Sequence, residues 1–148
     1  MIVLTQKEAD ELLQMLKLCV NEIIDFPNRG KRCDFDVISK CNKTDKFMIT
    51  INNSAKRENK FSINALYKKG NVKLMRLDAG NPPLHTNPDG EKIKGAHLHI
   101  YREGYEIKYA MPFDIENPEI DSIFYEFLDR FNVVDKPKVS FQKHIEEL

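Results

Sequence analysis

The chain has 148 residues, a length typical of one domain with one hydrophobic core, so we expect residues 1–148 to form a single domain. Apolar residues make up 41% and charged residues 31%, a balance that excludes a disordered chain. The 23 basic and 23 acidic residues cancel, so the chain lacks the basic excess of dedicated nucleic-acid binders and of proteins that dock on anionic membranes. Nucleic acid therefore remains a candidate partner only if the fold forms a local basic patch.

The N-terminus and the cysteines bear on where the protein is found. No apolar run approaches the length of a membrane span. Residues 1–4 are apolar but lead directly into charged residues, which is not the pattern of a signal peptide. Cys19, Cys33 and Cys41 are odd in number and lack C-x-x-C spacing, so we interpret them as reduced thiols. We expect a cytoplasmic protein without a membrane partner.

The first predicted element is an N-terminal helix. Thr5 and Glu8 form a T-x-x-E capping box, which satisfies the free backbone donors of a first helical turn. Apolar residues then recur at helical spacing and predict a helix that continues to about residue 23. These residues are Ala9, Leu12, Leu13, Leu16, Cys19, Val20 and Ile23. The segment 25–30 ends the helix, because Pro27 cannot continue it and Gly30 tolerates a reversal.

The middle of the chain alternates between apolar and polar residues, which is typical of strands with one buried face. The apolar positions are Phe35 and Val37, then Phe47, Ile49 and Ile51, then Phe61, Ile63, Ala65 and Tyr67. Residues 68–71 predict a hairpin turn into a strand at 72–78, and the polar segment 53–60 predicts an exposed hairpin tip. Short strands with short connections indicate an antiparallel meander.

Turn residues divide the region that follows. The segment 79–83 breaks the sheet, and the sequence Asn-Pro-Asp-Gly at 87–90 predicts a tight turn. A strand is expected at about 95–101, a turn at 102–105 and a returning strand at 105–111.

The last predicted elements are a second helix and a tail. Asn117 is a good helix cap, and Pro118 suits the first helical position. One apolar stripe follows, formed by Ile120, Ile123, Phe124, Phe127, Leu128 and Phe131. Pro137 divides the tail, and residues 140–148 fit a short helix. The order of elements predicts an α+β fold in which an N-terminal helix precedes an antiparallel sheet of about six strands and a second helix packs on the sheet.

The last predicted hairpin gathers most of the residues capable of chemistry. We assume a two-residue loop at Glu103-Gly104, which places His99 opposite Lys108. The candidate catalytic residues share the resulting polar face: His97, His99, Tyr101, Glu106 and Lys108. A longer loop changes the pairing, so this shared face depends on the register.

Two kinds of chemistry fit this cluster, and so does an ordinary strand surface without a function. In the first, His97 and His99 bind a metal with His85 as the third ligand, and an open fourth position makes a hydrolytic zinc site. In the second, no metal is bound; a histidine acts as general base, and Lys108 or Arg102 stabilises negative charge, as in small ribonucleases. The third reading is an ordinary solvated strand face without chemistry.

A resemblance covers most of the chain. It rests on the sequence LTQKEA at residues 4–9, Leu77-Asp78, HTNPDG at 85–90 and HLHIYREGY at 97–105. These motifs resemble a group of small uncharacterised proteins of Gram-positive bacteria and their phages. Because that group has no assigned activity, the resemblance implies no catalytic roles. It implies a small cytoplasmic accessory protein, encoded by a phage or another mobile element.

These observations support three functional hypotheses. The leading one is an accessory protein that binds a macromolecular partner through the polar face around residues 97–108. The alternative is a small hydrolase, either a ribonuclease-like phosphodiesterase or a zinc enzyme, that uses His85, His97 and His99. The third is a homodimer formed through the open sheet face or an edge strand. The sequence specifies neither a substrate nor a partner, and it leaves open whether the protein is an enzyme.

Overall fold

The computed structural model describes residues 3–54, 60–80 and 84–141, which form two α-helices and twelve strands. The helices are α1 (Gln6–Gln14) and α2 (Ile120–Arg130). The strands are β1 (Lys17–Cys19), β2 (Ile23–Asp25), β3 (Arg32–Ser39), β4 (Lys46–Asn53), β5 (Lys60–Tyr67), β6 (Val72–Gly80), β7 (His85–Thr86), β8 (Lys92–Ile93), β9 (His97–Ile100), β10 (Ala110–Pro112), β11 (Val133–Asp135) and β12 (Lys138–Ser140). The predicted α+β class is confirmed.

One large sheet contains eight of these strands, in the order β10-β9-β6-β5-β4-β3-β1-β11. It has eight strands rather than about six, and it is mixed rather than antiparallel because β11 pairs parallel to β1. The two extra strands, β1 and β11, are short and lie together at one edge of the sheet, beyond β3. The central hairpins β3–β4, β4–β5 and β5–β6 are antiparallel, as the period-two pattern predicted.

The first helix begins where predicted and ends early. The hydroxyl of Thr5 accepts a hydrogen bond from the backbone N–H of Glu8, and the Glu8 carboxylate accepts one from the N–H of Thr5. The helix stops at Gln14, so the prediction that it continues to about residue 23 is wrong. Leu16 and Val20 are exposed, and β1 instead pairs with β3 and β11.

The second helix is shorter at its start than predicted. Glu119 is the residue that precedes its first turn, two positions beyond the predicted cap. The side chain of Asn117 accepts a hydrogen bond from the N–H of Glu119, so it stabilises the approach to the helix rather than its first turn. The predicted apolar stripe is buried at Ile123, Phe124, Phe127, Leu128 and Phe131.

The two faces of the sheet differ in character. The apolar positions of β3 and β4 face α2: the Phe35 ring lies 5.8 Å from that of Phe124, and the Phe47 ring lies 5.6 Å from that of Phe131. The opposite face, here called the open face, carries two polar rows that cross β4, β5, β6 and β9. One row is Asn52, Ser62, Asp78 and His97, and the next is Thr50, Asn64, Arg76 and His99.

The last hairpin has a different register from the predicted one. Arg102 pairs with Glu106 across a three-residue turn, and His99 pairs with Ala110 rather than with Lys108. Gly104 adopts a φ of 84° within this turn, a conformation that glycine reaches without strain. The assumed two-residue loop is therefore wrong. Of the polar face predicted from it, His97 and His99 share a face, whereas Glu106 and Lys108 are exposed and do not join them.

Three predictions extend beyond the described residues. The hairpin tip at 53–60, the break at 79–83 and the terminal helix at 140–148 lie largely outside them. Within the described ranges, neither helix is long and apolar enough to cross a membrane.

Candidate metal centre

Two neighbouring strands place a carboxylate opposite an imidazole. β6 and β9 run antiparallel, with Asp78 paired with His97 and Arg76 paired with His99. Side chains alternate along each strand and cross-strand partners share a face, so all four lie on the open face. Asp78, His97 and His99 are buried, and the His85 ring stacks on the His97 ring and meets the His99 ring edge-on. The pairing of these two strands builds the centre.

Backbone carbonyls fix the tautomers of the two buried histidines. Nδ1 of His97 lies 2.9 Å from the carbonyl oxygen of Gly95, and Nδ1 of His99 lies 2.7 Å from that of Ile107. A carbonyl oxygen only accepts hydrogen bonds, so both Nδ1 atoms carry the proton. In a neutral imidazole, the lone pair is then on Nε2.

Both Nε2 atoms converge on one carboxylate oxygen. Asp78 Oδ2 lies 3.3 Å from Nε2 of His97 and 3.1 Å from Nε2 of His99. An ionised carboxylate also only accepts, so each contact requires a proton on Nε2 or a cation between the atoms. One divalent ion would replace the two protons at equal net charge and would bind the lone pairs directly.

The ionisation of Asp78 follows from its contacts. Burial alone would raise the pKa of this carboxyl, but hydrogen bonds from His97, His99 and Arg76 outweigh burial and hold the pKa far below its usual range. The hydrogen bond to Asp78 raises the pKa of His97, although burial opposes that rise. Asp78 is therefore a carboxylate at neutral pH.

Arg76 orients the carboxylate of Asp78. Its Nη2 lies 3.0 Å from Oδ1, and its Nε lies 3.2 Å from both Oδ1 and Oδ2. The guanidinium thereby donates mainly to Oδ1, and Oδ2 faces the two histidines. Such outer partners commonly set the direction of a metal-binding carboxylate.

His85 approaches the pair from β7, held by Asn87. The side-chain amide of Asn87 donates to the carbonyl of Ala110 at 3.0 Å and accepts from the N–H of Ala110 at 2.8 Å, which fixes its orientation. Nε2 of His85 lies 2.9 Å from Asn87 Oδ1 and 3.1 Å from the carbonyl oxygen of Lys108. Since both partners accept, Nε2 is the donor and Nδ1 of neutral His85 carries the lone pair.

The spacing of the donors suits a transition metal. One ligand atom from each of His85, His97 and His99 lies within 4.8 Å of the other two. Ligands bound at about 2.0 Å around a tetrahedral ion lie roughly 3.3 Å apart, close to the separations between Asp78 Oδ2 and the two Nε2 atoms. Imidazole nitrogens with one carboxylate oxygen form a donor set that zinc commonly takes. Lys60, Arg76 and Leu84 line the open side of a depression of about 300 Å³ above the centre.

Three of the predicted catalytic residues lie outside this centre. Tyr101 is buried, and its hydroxyl donates to the carbonyl of Leu4 at 2.7 Å, so it anchors the N-terminal segment. Glu106 is exposed at the hairpin turn with a φ of 55°. The side chain of Lys108 is exposed, and only its backbone carbonyl contacts the centre, through His85. Arg102 lies over the ring of Tyr109 at 3.9 Å.

Asp78, Arg76 and the positioning role of Asn87 were not predicted from the sequence. Asp78 appeared only as the end of a predicted strand and within the Leu77-Asp78 motif, and Asn87 only as a turn residue. The signal that would have found Asp78 is the pairing of the strand 72–78 with the histidine strand, because that pairing alone sets it opposite His97.

A protein-family comparison places the chain among known sequences. A family model described as a family of unknown function matches residues 4–133, which is most of the chain. The chain belongs to this family, DUF6978. The matched range of DUF6978 contains all the residues of the centre described above. No curated protein and no solved structure matches this DUF6978 chain. The prediction that the chain belongs to a family without an assigned function is thus confirmed.

Proposed function

We propose that this protein is a metal-dependent hydrolase whose ion, best suited to be zinc, is held by His85, His97, His99 and Asp78. One observation carries the proposal: two Nε2 atoms converge on a single oxygen of Asp78 while both Nδ1 atoms are bonded to carbonyls. Metal-binding histidines commonly donate their second N–H to a backbone carbonyl, which fixes the ring and its tautomer.

Each donor has one atom available for the ion. The three histidines form the candidate group, in which we assign Nε2 of His97 and His99 and Nδ1 of His85 as ligands. We assign Asp78 Oδ2 as the fourth ligand because it contacts both Nε2 atoms. Water or substrate would take a further position on the solvent side of a bound ion. A zinc ion held there would supply hydroxide at neutral pH, because zinc lowers the pKa of bound water to about 7.

Binding of a macromolecular partner is the second candidate function. The polar rows of the open face support it, because they offer amides and hydroxyls on the face of the sheet opposite α2. In that case the residues around the centre contribute contacts rather than chemistry. The cytoplasmic location and the phage or mobile-element origin stay predictions.

The test is the metal content of purified, untagged protein, measured by elemental mass spectrometry. We expect about one zinc ion per chain, and loss of most of it in His97→Ala and Asp78→Asn. His144→Ala is the matched control, because His144 is the fourth histidine of the sequence and not one of the proposed ligands. Removal of the ion by a chelator should abolish hydrolysis, and added zinc should restore it.

Two results would count against the proposal. If the purified protein is metal-free and does not take up zinc, cobalt or manganese on dialysis, the proposed metal site does not exist. A metal content that survives in Asp78→Asn and His97→Ala would place the ion elsewhere. A protein that holds zinc, hydrolyses no ester and captures a macromolecule through the open face would favour the second function.

A further inference from the structure

We infer that the substrate is a phosphodiester, bound by Lys60 and Arg76 beside the ion and extended along the open face. This inference rests on the metal-dependent hydrolase proposed above and adds the class of its substrate. Three features of the described residues support it: the shape of the surface, its charge and the polarity of its lining.

The centre opens into a groove rather than a closed pocket. The depression above the histidines has a volume of about 300 Å³, and a second of about 330 Å³ lies next to it. Lys60, Arg76 and Asp78 line both, so the two depressions are continuous at these side chains. An extended substrate can therefore place one bond at the ion and continue into the second depression.

The junction of the two depressions favours an anion. Among the described residues that line them, Asp78 is the one carboxylate, and its oxygens already contact Arg76, His97 and His99. Arg76 contacts Asp78 through Nε and Nη2, so Nη1 takes no part in that pair, and its side chain is 38% exposed. A guanidinium, an ammonium and a divalent ion around one point suit the oxygens of a phosphate.

The second depression suits a polar substituent. Its lining includes Asn52, Asn53 and Ser62, together with the backbone at Gly30. Asn53 donates to the carbonyl of Pro27, which holds its amide at this surface. Phe61 is the one apolar side chain among the described residues that line the second depression, and Leu84 and Ile107 line the first. This lining fits the sugar-like or amide-bearing arm of a diester better than a fatty ester.

The reaction consumes one water molecule. Hydroxide, which a bound ion would supply from that water, would attack phosphorus; a new P–O bond would form, and the bond from phosphorus to the departing ester oxygen would break. The departing oxygen takes a proton and leaves as an alcohol, and the other product is a phosphate monoester. Lys60 and Arg76 neutralise the charge that builds on the non-bridging oxygens.

The experiment compares two ester classes with zinc-loaded protein whose metal content has been measured in each sample. The probes are bis(4-nitrophenyl) phosphate and 4-nitrophenyl acetate, and inorganic phosphate is titrated as an inhibitor. We expect turnover of the phosphodiester, competitive inhibition by phosphate, and a KM about tenfold higher in Lys60→Gln with the zinc content unchanged. Lys7→Gln is the matched control, since Lys7 is exposed on α1 and lines neither depression.

The outcomes separate this inference from the proposed function. Zinc-loaded protein that cleaves the acetate but not the phosphodiester, and that phosphate does not inhibit, overturns the substrate class and leaves the metal-dependent hydrolase intact. Equal KM values for Lys60→Gln and Lys7→Gln overturn the role of Lys60. Protein that binds no metal overturns the proposed function itself.

Discussion

The carboxylate of Asp78 joins the two histidines of β9 to Arg76 of β6. Its Oδ2 contacts both Nε2 atoms, and its Oδ1 contacts the guanidinium. A buried carboxylate of this kind is stable only while its partners remain, because an unpaired charge in the interior costs several kcal/mol. Replacement of Asp78 therefore distinguishes most clearly between a metal site and an ordinary cluster of polar residues.

Asp78→Asn keeps the size of the side chain and removes its charge. We expect the affinity for zinc to fall at least about 100-fold, because an amide oxygen is a much weaker ligand than a carboxylate. The measurement is a competition titration against a chromophoric chelator, with circular dichroism to check the fold. An affinity equal to that of the wild type would show that Oδ2 is not a ligand.

Asn87→Ala tests the support of His85. The change removes the acceptor for Nε2 of His85 and both side-chain bonds to Ala110. We expect zinc affinity to fall roughly 10- to 100-fold, the range typical of outer-sphere partners of a ligand. Asn42→Ala is the comparison, since Asn42 also bonds to its local turn but far from the centre in the fold. Similar affinities in both variants would contradict a positioning role for Asn87.

At this scale the sequence identified the histidines but not their partners. His85, His97 and His99 were predicted as ligands from residue type and the H-x-H spacing, and the structure brings their rings within about 5 Å of one another, at 4.7 to 5.2 Å. Asp78 lies 19 residues before His97, and nothing local marks it as a neighbour. Only the order of strands in the sheet, which is a property of the whole fold, relates the two.

At the scale of elements, Lys17 explains why α1 is short. Its Nζ donates to the carbonyls of Leu13, Met15 and Phe131 at 2.8 to 3.0 Å. The first two are carbonyls at the end of α1 that lack a helical partner, and the third ends α2. The ammonium also lies 4.1 Å from the centre of the Phe131 ring. One buried side chain thus joins the ends of both helices.

Replacement of Lys17 should change how stability depends on pH. Burial lowers the pKa of Lys17 to about 7, because leaving water disfavours the charged form. Between pH 7 and about 10, the unfolded chain then binds a proton that the folded chain has released, so the free energy of unfolding rises with pH in this window. Lys17→Met should remove that rise. The measurement is urea unfolding at several pH values from 6 to 10.

Lys7→Met is the control for this series, because Lys7 is exposed on the same helix. Its stability should follow the pH profile of the wild type. If the profiles of Lys17→Met and the wild type are parallel over the whole window, the pKa of Lys17 is not lowered by folding. A loss of a few kcal/mol in Lys17→Met at every pH is expected as well, since three carbonyls lose their donor.

The elements predicted best are those whose signal is local. The alternation in β3, β4 and β5 and the capping box of α1 depend on neighbouring residues, and both are observed. The end of α1 was missed because residues 16–23 continue the helical spacing. Pairing of β1 with β3 and β11, together with the carbonyl contacts of Lys17, overrides that pattern. The hairpin register was missed because the turn at 103–105 has one more residue than assumed.

At the scale of the whole molecule, one face of the sheet forms the hydrophobic core and the other carries the proposed site. One face packs on α2 with buried aromatic residues, and the open face carries the polar rows that end at the histidines. Because the ligands come from β6, β7 and β9, an ion bound there would cross-link three separate strands within residues 78–99. Metal binding should therefore stabilise the fold.

Zinc should raise the melting temperature of the metal-free protein. An ion at about 100 times its dissociation constant adds roughly 2.7 kcal/mol to the stability of the folded state, which corresponds to a rise of about 9 °C for a chain of this size. Differential scanning calorimetry with and without zinc measures the rise. His97→Ala should show little of it, and an equal rise in that variant would indicate zinc binding at another position.

X-ray absorption at the zinc edge tests the central claim most directly, because it reports the atoms around the ion. Zinc-loaded wild-type protein should show only nitrogen and oxygen neighbours at about 2.0–2.2 Å, with the scattering pattern of about three imidazoles. Asp78→Asn should lose most of this imidazole signal. A sulfur neighbour at about 2.3 Å would move the ion to one of the cysteines, and fewer than two imidazoles would contradict a centre built on His85, His97 and His99.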